Sequence, residues 1–322
     1  MRMRLVPDRT NINFFRAARI TFGGSVVLLI ASAVLFFTMG LNFGIDFRGG
    51  TTIRTQAEQP IDVAAYRAVL EPMQLGDVVV TEVFDPSFAD NENVAMIRIQ
   101  AQNEEASISE DTVATLETAL QGVDPTLTFV AVESVGPKVS GELINKAIYA
   151  VLGSILAIVV YIWLRFEWQF ALGAVVALAH DVGLTIGLWA LFQIKFDMAM
   201  IAALLTIVGY SINDTVVVFD RARENLIKYK QMPLIEVLNL SANETLSRTI
   251  MTSGTTLIAL IALLVLGGDV IRGFVFAITW GILVGTYSSI YIAKNIVLML
   301  GVKRDWSKEK KPSGNQFMDI DA

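Results

Sequence analysis

The chain contains no cysteine and a single histidine, and charged residues fill only 17% of its positions. Without cysteine there is no disulfide framework and no thiolate metal site, and the redox compartment stays open. Soluble domains carry nearer a quarter charged residues, so a chain this poor in charge, with a mean hydropathy of +0.56, is not built mainly for water. Catalytic signatures are missing as well. There is no HExxH, no GxSxG and no phosphate-cradling loop, and Gly49-Gly50 precedes a predicted strand rather than a helix. The sequence therefore reads as that of a non-enzyme with no metal and no cofactor.

What fills the space is apolar sequence in long runs. Residues 20–41, 147–164, 171–192, 198–219, 249–266 and 273–298 are each long enough to cross a hydrocarbon core of about 30 Å. The first run has a basic flank at Arg16 and Arg19 and a cleavage-like Ala31-Ser32-Ala33, but apolar residues continue to Leu41, so it reads as an uncleaved anchor. Positive charge assigns the sides. With the N-terminus (1–19) in the cytoplasm, 17 of the 25 Lys and Arg residues, Lys294 among them, fall on inside segments, while the two short outside loops hold only Lys195 and Arg272. Both termini, including the tail 302–322, are then cytoplasmic, and so is the amphipathic segment 221–246, expected as short helices. The membrane bundle of the second to sixth spans occupies 144–301.

Residues 42–143 form one exported, periplasmic domain. Between Asn42 and Asn145 stand 17 acidic residues against 5 Lys and Arg, which argues against nucleic acid as a partner. Strand signals at Asp46–Thr55, Asp77–Val83, Val94–Gln100 and Leu127–Ser134 alternate with helix signals at Asp62–Leu70 and from Ser107-Ile108-Ser109-Glu110, a capping box, to Leu120. The order βαββαβ predicts an α+β ferredoxin-like domain inserted between the first two of six transmembrane helices. Val135-Gly136-Pro137-Lys138 breaks regular structure before the second span.

Ionisable groups inside the runs carry the functional argument, because a charge in hydrocarbon costs at least a few kcal/mol unless it is paired, protonated or wet. Asp214, beside Asn213, precedes Asp220 by six positions, on the order of 9 Å of helix. Arg248 opens the fifth run at the same side, so an Asp214–Arg248 pair is geometrically possible. Read statically, such a pair fixes helix packing and adds little stability. Read functionally, burial disfavours the charge on Asp214 while Arg248 favours it, so a small helix shift toggles protonation. His180-Asp181, within the third run, is either a helix–helix hydrogen-bonding unit or part of a proton relay. Asp220, Arg221 and Glu224 read as solvated anchors, and Gly281-Ile-Leu-Val-Gly285 as a close-packing GxxxG. Asp181 and Asp214 could also be the paired acids of an intramembrane protease, but neither has a Gly-x-Gly-Asp context and their depths differ.

These segments resemble the SecD/SecF family of protein-export membrane proteins, in the resistance-nodulation-division superfamily. The resemblance rests on Phe43-Gly-Ile-Asp46-Phe-Arg-Gly49-Gly50, Val135-Gly136-Pro137-Lys138-Val139, Arg165-Phe-Glu-Trp168 and Ala177-Leu-Ala-His180-Asp181. It continues through Gly209–Arg221, Arg248-Thr249 and Thr252–Thr256, and the compact outer domain points to the SecF branch. It implies a structural role for Asp46, Gly49, Gly50, Gly136 and Pro137, and proton coupling through Asp214 and Arg248. It further implies partnership with SecD, the SecYEG channel, YajC and a translocating preprotein, in the bacterial inner membrane, and protons as the driving ion. The runner-up is a proton-driven small-molecule exporter of the same superfamily. The tail matches no family pattern, and Phe219 stands before Asp220 where a small polar residue is common.

Overall fold

The computed structural model describes residues 10–86, 88–89, 91–101 and 108–302. A short 3-10 turn at Phe14–Ala17 leads into α1 (Ala18–Met39), followed by β1 (Asn42–Phe43), α2 (Ile45–Arg48), β2 (Gly50–Ala57), α3 (Val63–Leu70), β3 (Val78–Val83), β4 (Asn93–Gln100), α4 (Glu110–Gln121) and β5 (Thr128–Val135). Then come α5 (Pro137–Arg165), α6 (Trp168–Phe192), β6 (Lys195–Phe196), α7 (Met198–Lys228), α8 (Leu234–Leu266), α9 (Asp269–Ser288), a π-helical turn at Ser289–Ala293 and α10 (Lys294–Leu300). Among the described residues, six helices are long and apolar enough to cross a membrane: Phe14–Met39, Val139–Arg165, Trp168–Phe192, Met198–Lys228, Leu234–Leu266 and Asp269–Leu300.

Two expectations change. The strand expected from Asp46 begins only at Gly50, because Ile45–Arg48 closes a helical turn first. Gly49 (φ +75°) and Gly50 (φ +140°) then redirect the chain, and a Cβ on Gly50 would lie 2.3 Å from the carbonyl oxygen of Ile99. Only glycine fits there. The segment 221–246 is not a set of separate short helices but the projecting ends of α7 and α8, joined by the turn 229–233. Its apolar periodicity belongs to a helix pair: Leu226, Val237 and Leu238 are buried between the two, and Asn225 donates to Ser241 Oγ at 3.0 Å and to Glu244 Oε2 at 2.6 Å.

The inserted domain is a four-stranded antiparallel sheet in the order β3-β4-β2-β5, with α3 and α4 packed on one face. Ile53 of β2 pairs with Ile97 on one side and Val132 on the other. Ile53, Ile97, Tyr66, Leu70, Leu116 and Leu120 are buried together; full burial of a Leu or Ile is worth roughly 1.5–3 kcal/mol. Asp62 caps α3 through its Oδ1, which accepts from the amides of Ala64 and Ala65 at 3.0 Å. Ser109 caps α4 by accepting from Thr112 at 3.2 Å, while the expected Ser107 end of the capping box lies outside the described residues.

Two sets of hydrogen bonds stitch the domain to the α6–α7 turn and to α9. β1 pairs in parallel with β6, and the Met198 amide donates to Asp46 Oδ2 at 2.9 Å. Phe84 and Asp269 exchange two bonds: the Phe84 amide donates to Asp269 Oδ2 at 2.8 Å, and the Asp269 amide donates to the Phe84 carbonyl at 2.9 Å. At the first seam Lys195 lies partly buried 3.9 Å from Asp197. Burial, reinforced by the neighbouring Arg98 guanidinium, holds the Lys195 ammonium below the usual lysine range. In the bundle α6 is the most buried helix, packed on α1, α7 and α9. The GxxxG of α9 faces α7: a Cβ on Gly281 would sit 2.3 Å from Ile207 Cγ1, and one on Gly285 3.1 Å from Ser211 Cβ.

Candidate functional site

Buried polar groups gather where α6, α7 and α9 meet. Asp181 of α6 is fully buried, and its carboxylate is saturated. Oδ1 pairs with His180 Nδ1 at 2.8 Å, and Oδ2 accepts from Ser211 of α7 at 2.5 Å and from Ser288 of α9 at 2.6 Å. One carboxyl group thus ties three helices. His180 is buried too; its ring stacks on Tyr287 at 6.1 Å between centroids, and its Nε2 has no hydrogen-bond partner among the described residues. Tyr287 reaches α1, donating to the Thr21 carbonyl at 2.9 Å and lying 3.1 Å from Ser25 Oγ.

Asp214 is different. It is 3% exposed, on the side of α7 that faces α8 and α9, and its Oδ2 is buried with no hydrogen-bond partner among the described residues. Ser253 of α8 stands beside it as a hydrogen-bond partner, and Arg248 of the same helix acts on it through its charge. Arg248 is exposed and makes no ion pair within 4.0 Å of Asp214 or of any other described carboxylate. Asn213, adjacent in sequence, is exposed, about 100° around α7 from Asp214. Beyond Asp214 the polar seam continues through Ser253, whose Oγ lies 2.7 Å from Thr286 Oγ1, to Tyr210 at 3.5 Å. The buried hydroxyls of Thr215 and Thr249 are likewise unpartnered there among the described residues.

Asp181 is committed to His180, Ser211 and Ser288, and among the described residues it shares no hydrogen bond with Asp214. Among the described residues no three His, Cys, Asp or Glu side chains are gathered so as to hold a metal ion. Asp220, expected as a solvated anchor, is half-exposed and paired with Arg165 at 2.6 Å, and Arg221 bridges Glu224 and Glu244 at 2.7 Å each. Exposed pairs of this kind contribute little. Asp46, Gly49 and Gly50 meet at the seam between domain and bundle, and Gly136 and Pro137 open α5, where the missing N–H of proline is not required.

Three participants escaped the sequence reading. Ser211 and Ser288 carry no signal alone, although Ser288 extends the Gly281–Gly285 stripe by one more helical step. Lys294, counted above among the cytoplasmic-side charges, is fully buried at the start of α10. Its ammonium lies 4.2 Å from the Phe14 ring centre, 4.5 Å from that of Phe15 and 6.0 Å from that of Tyr291. Cation–π contacts stand there in place of a carboxylate.

Known proteins resemble this chain. Residues 115–303 match the family described as "Protein export membrane protein SecD/SecF, C-terminal", and residues 34–61 match the "SecD/SecF GG Motif". The chain is similar to the protein translocase subunit SecF of Cereibacter sphaeroides, at 65% identity over 100% of this chain and 99% of that one. It is also similar to those of Rhodobacter capsulatus, at 60% over 100% and 98%, and Rickettsia rickettsii, at 40% over 95% and 97%. Among solved structures, the crystal structure of SecDF from Thermus thermophilus, titled a translocon-associated membrane protein, superposes with a TM-score of 0.81 at 38% identity. It is matched over 93% of this chain and 40% of its own. The super-membrane-facing form of SecDF gives a TM-score of 0.68 at 39% identity, over 92% and 39%. The chain thus spans about 40% of the SecDF chains it resembles. With matches over the membrane helices and over the glycine pair, and near end-to-end identity to named subunits, this multi-pass membrane protein belongs to the SecF family of protein translocase subunits.

Proposed function

We propose that the chain is a non-enzymatic accessory subunit of the Sec preprotein translocase, and that with SecD it uses the proton-motive force to promote late steps of export across the inner membrane. Asp214 carries this reading: a buried carboxyl group inside the span, with one oxygen unpartnered and the Arg248 guanidinium on the next helix unpaired, both among the described residues. A group that only held helices together would be saturated, as Asp181 is. One that must gain and lose a proton needs a place for its charge when ionised, and Arg248 supplies it by swinging in. When Asp214 takes up a proton Arg248 is released, α7 and α8 shift, and the α+β domain, stitched to α7 through Asp46 and to α9 through Asp269, moves with them. The separation of the two side chains supports this alternation. One elementary charge crossing 100 mV releases about 2.3 kcal/mol, enough to shift a two-state equilibrium roughly fifty-fold.

The concentration of Lys and Arg on one set of loops supports cytoplasmic termini and a periplasmic domain. The solved relatives, in which this chain matches about 40% of the length, support SecD as the missing half. SecYEG, YajC and the translocating preprotein complete the assembly. Co-reconstitution with SecD in vesicles tests the reading. Asp214→Asn and Arg248→Met are each expected to abolish proton conduction and gradient-dependent export. If both variants conduct and export like the parent, the coupling assignment is wrong.

A further inference from the structure

Beside the seam between domain and helices lies a groove of about 460 Å³, a size that suits a small ligand. Phe43, Phe47 and Phe196 line it with ring centres 5.3–5.8 Å apart, and Ile148 and Val151 of α5 line it further along that helix. Every lining residue is apolar except one, Arg48. Arg48 is exposed, and its guanidinium has no ion pair or hydrogen bond among the described residues. The groove occupies the domain-side end of the spans, since it reaches the early part of α5 and Ile201 near the start of α7. It opens sideways, because Ile148 is 47% exposed on a helix long and apolar enough to cross a bilayer.

We propose that this groove holds an acyl chain of an anionic phospholipid from the adjoining leaflet, with the lipid phosphate on Arg48. Water is a poor occupant, since it needs two or more polar partners and the lining offers one. An extended polypeptide is a poor one for a related reason: its backbone N–H and C=O groups would meet no acceptor or donor beyond that guanidinium, in a medium that punishes unpaired backbone. A neutral lipid would fill the apolar space but leave the arginine charge unmet. An anionic lipid satisfies both parts, because a guanidinium and a phosphate form paired charge-assisted hydrogen bonds. A bound lipid here would also wedge α5 against the α2 turn that leads to Gly49 and Gly50, bracing the seam on which the domain rests.

Native mass spectrometry of the full chain, delipidated and resupplied with palmitoyl-oleoyl phosphatidylglycerol or the matching phosphatidylcholine, tests this. One phosphatidylglycerol should be retained, preferred over phosphatidylcholine by about five-fold, the effect of one basic residue near a headgroup. Arg48→Gln should erase the preference while leaving retention of the choline lipid unchanged, and Arg48→Lys should recover most of it. Ile148→Trp, at an exposed position where folding is not at stake, should reduce retention of both lipids. The proposal is overturned if Arg48→Gln keeps the preference or if Ile148→Trp holds lipid like the parent. It is equally overturned if a photoreactive residue at position 148 cross-links protein instead of lipid in native membranes.

Discussion

Asp181 and Asp214 look alike in sequence, and replacing Asp181 tests whether the structure has told them apart. Asp181→Ala removes three hydrogen bonds, to His180, Ser211 and Ser288. Side-chain hydrogen bonds inside membrane proteins average about 0.6 kcal/mol and reach about 1.7, so three are worth roughly 2–5 kcal/mol. The lower half of that range is expected, because Ser288 already has a second acceptor, the Gly285 carbonyl at 3.1 Å. Asp181→Asn should behave differently. Its carbonyl oxygen can face the two serines while its NH₂ donates to His180 Nδ1, with the imidazole proton moved to Nε2, which has no partner to lose. All three contacts survive, and the change should be below about 1 kcal/mol, less than the smallest sum for three lost bonds. Unfolding of the purified chain in mixed micelles, titrated with sodium dodecyl sulfate, measures both variants, and gradient-dependent export by vesicles is read in parallel. A loss under about 0.5 kcal/mol for Asp181→Ala, less than one average bond, refutes the hub. An asparagine as damaging as alanine refutes the hydrogen-bond inventory, and an asparagine that folds like the parent but abolishes export makes Asp181 a relay group.

Two further outcomes follow from packing and from charge. Gly281→Ala should destabilise the bundle by about 1–3 kcal/mol, the range for an overpacked core, because its Cβ would fall 2.3–2.7 Å from three carbons of the β-branched Ile207. Combined with Ile207→Ala it should cost clearly less than the sum of the single changes, and additivity in the same micelle assay would rule out the α7–α9 contact. In the inserted domain, burial and the nearby Asp124 carboxylate push the Tyr66 phenol up to about 12 from 10.0. The folded chain then holds this proton when the unfolded chain has released it, so stability is full below pH 10 and falls as pH rises toward 12. Tyr66→Phe should remove that loss in alkaline unfolding curves, and a variant that weakens over the same window exactly as the parent does would contradict the assignment.

Much of this molecule follows from sequence through short-range physics. Apolar runs about 18 residues or longer have few alternatives to crossing a bilayer, since only a helix satisfies every backbone group within its own segment. The inserted domain was equally legible, because strand and helix periods differ and Ile53, Ile97, Leu116 and Leu120 fall on the faces those periods select. Less legible were the ends. The turn at Ile45–Arg48 interrupts an alternating pattern only because Gly49 and Gly50 take left-handed or otherwise unusual backbone angles, and a residue-type pattern carries no dihedral angles. The extension of α8 back to Leu234 escaped notice because its charges resemble those of a solvated loop until α7 is laid beside it.

The chemistry divides along the same line. One-dimensional reasoning picked out His180, Asp181, Asp214 and Arg248, because an ionisable group in hydrocarbon is expensive wherever it occurs. Which acid is tied down and which is free depended on Ser211 and Ser288, 30 and 107 positions from Asp181. Those two serines are indistinguishable in sequence from any others, and only the approach of α7 and α9 permitted by Gly281 and Gly285 brings them to one carboxylate. Lys294 shows the same point in reverse: it counts as one more cytoplasmic-side cation until the packing of Phe14, Phe15 and Tyr291 surrounds it. Cost of burial is a property of the residue and can be read from the chain, whereas the partner that offsets it is a property of the fold.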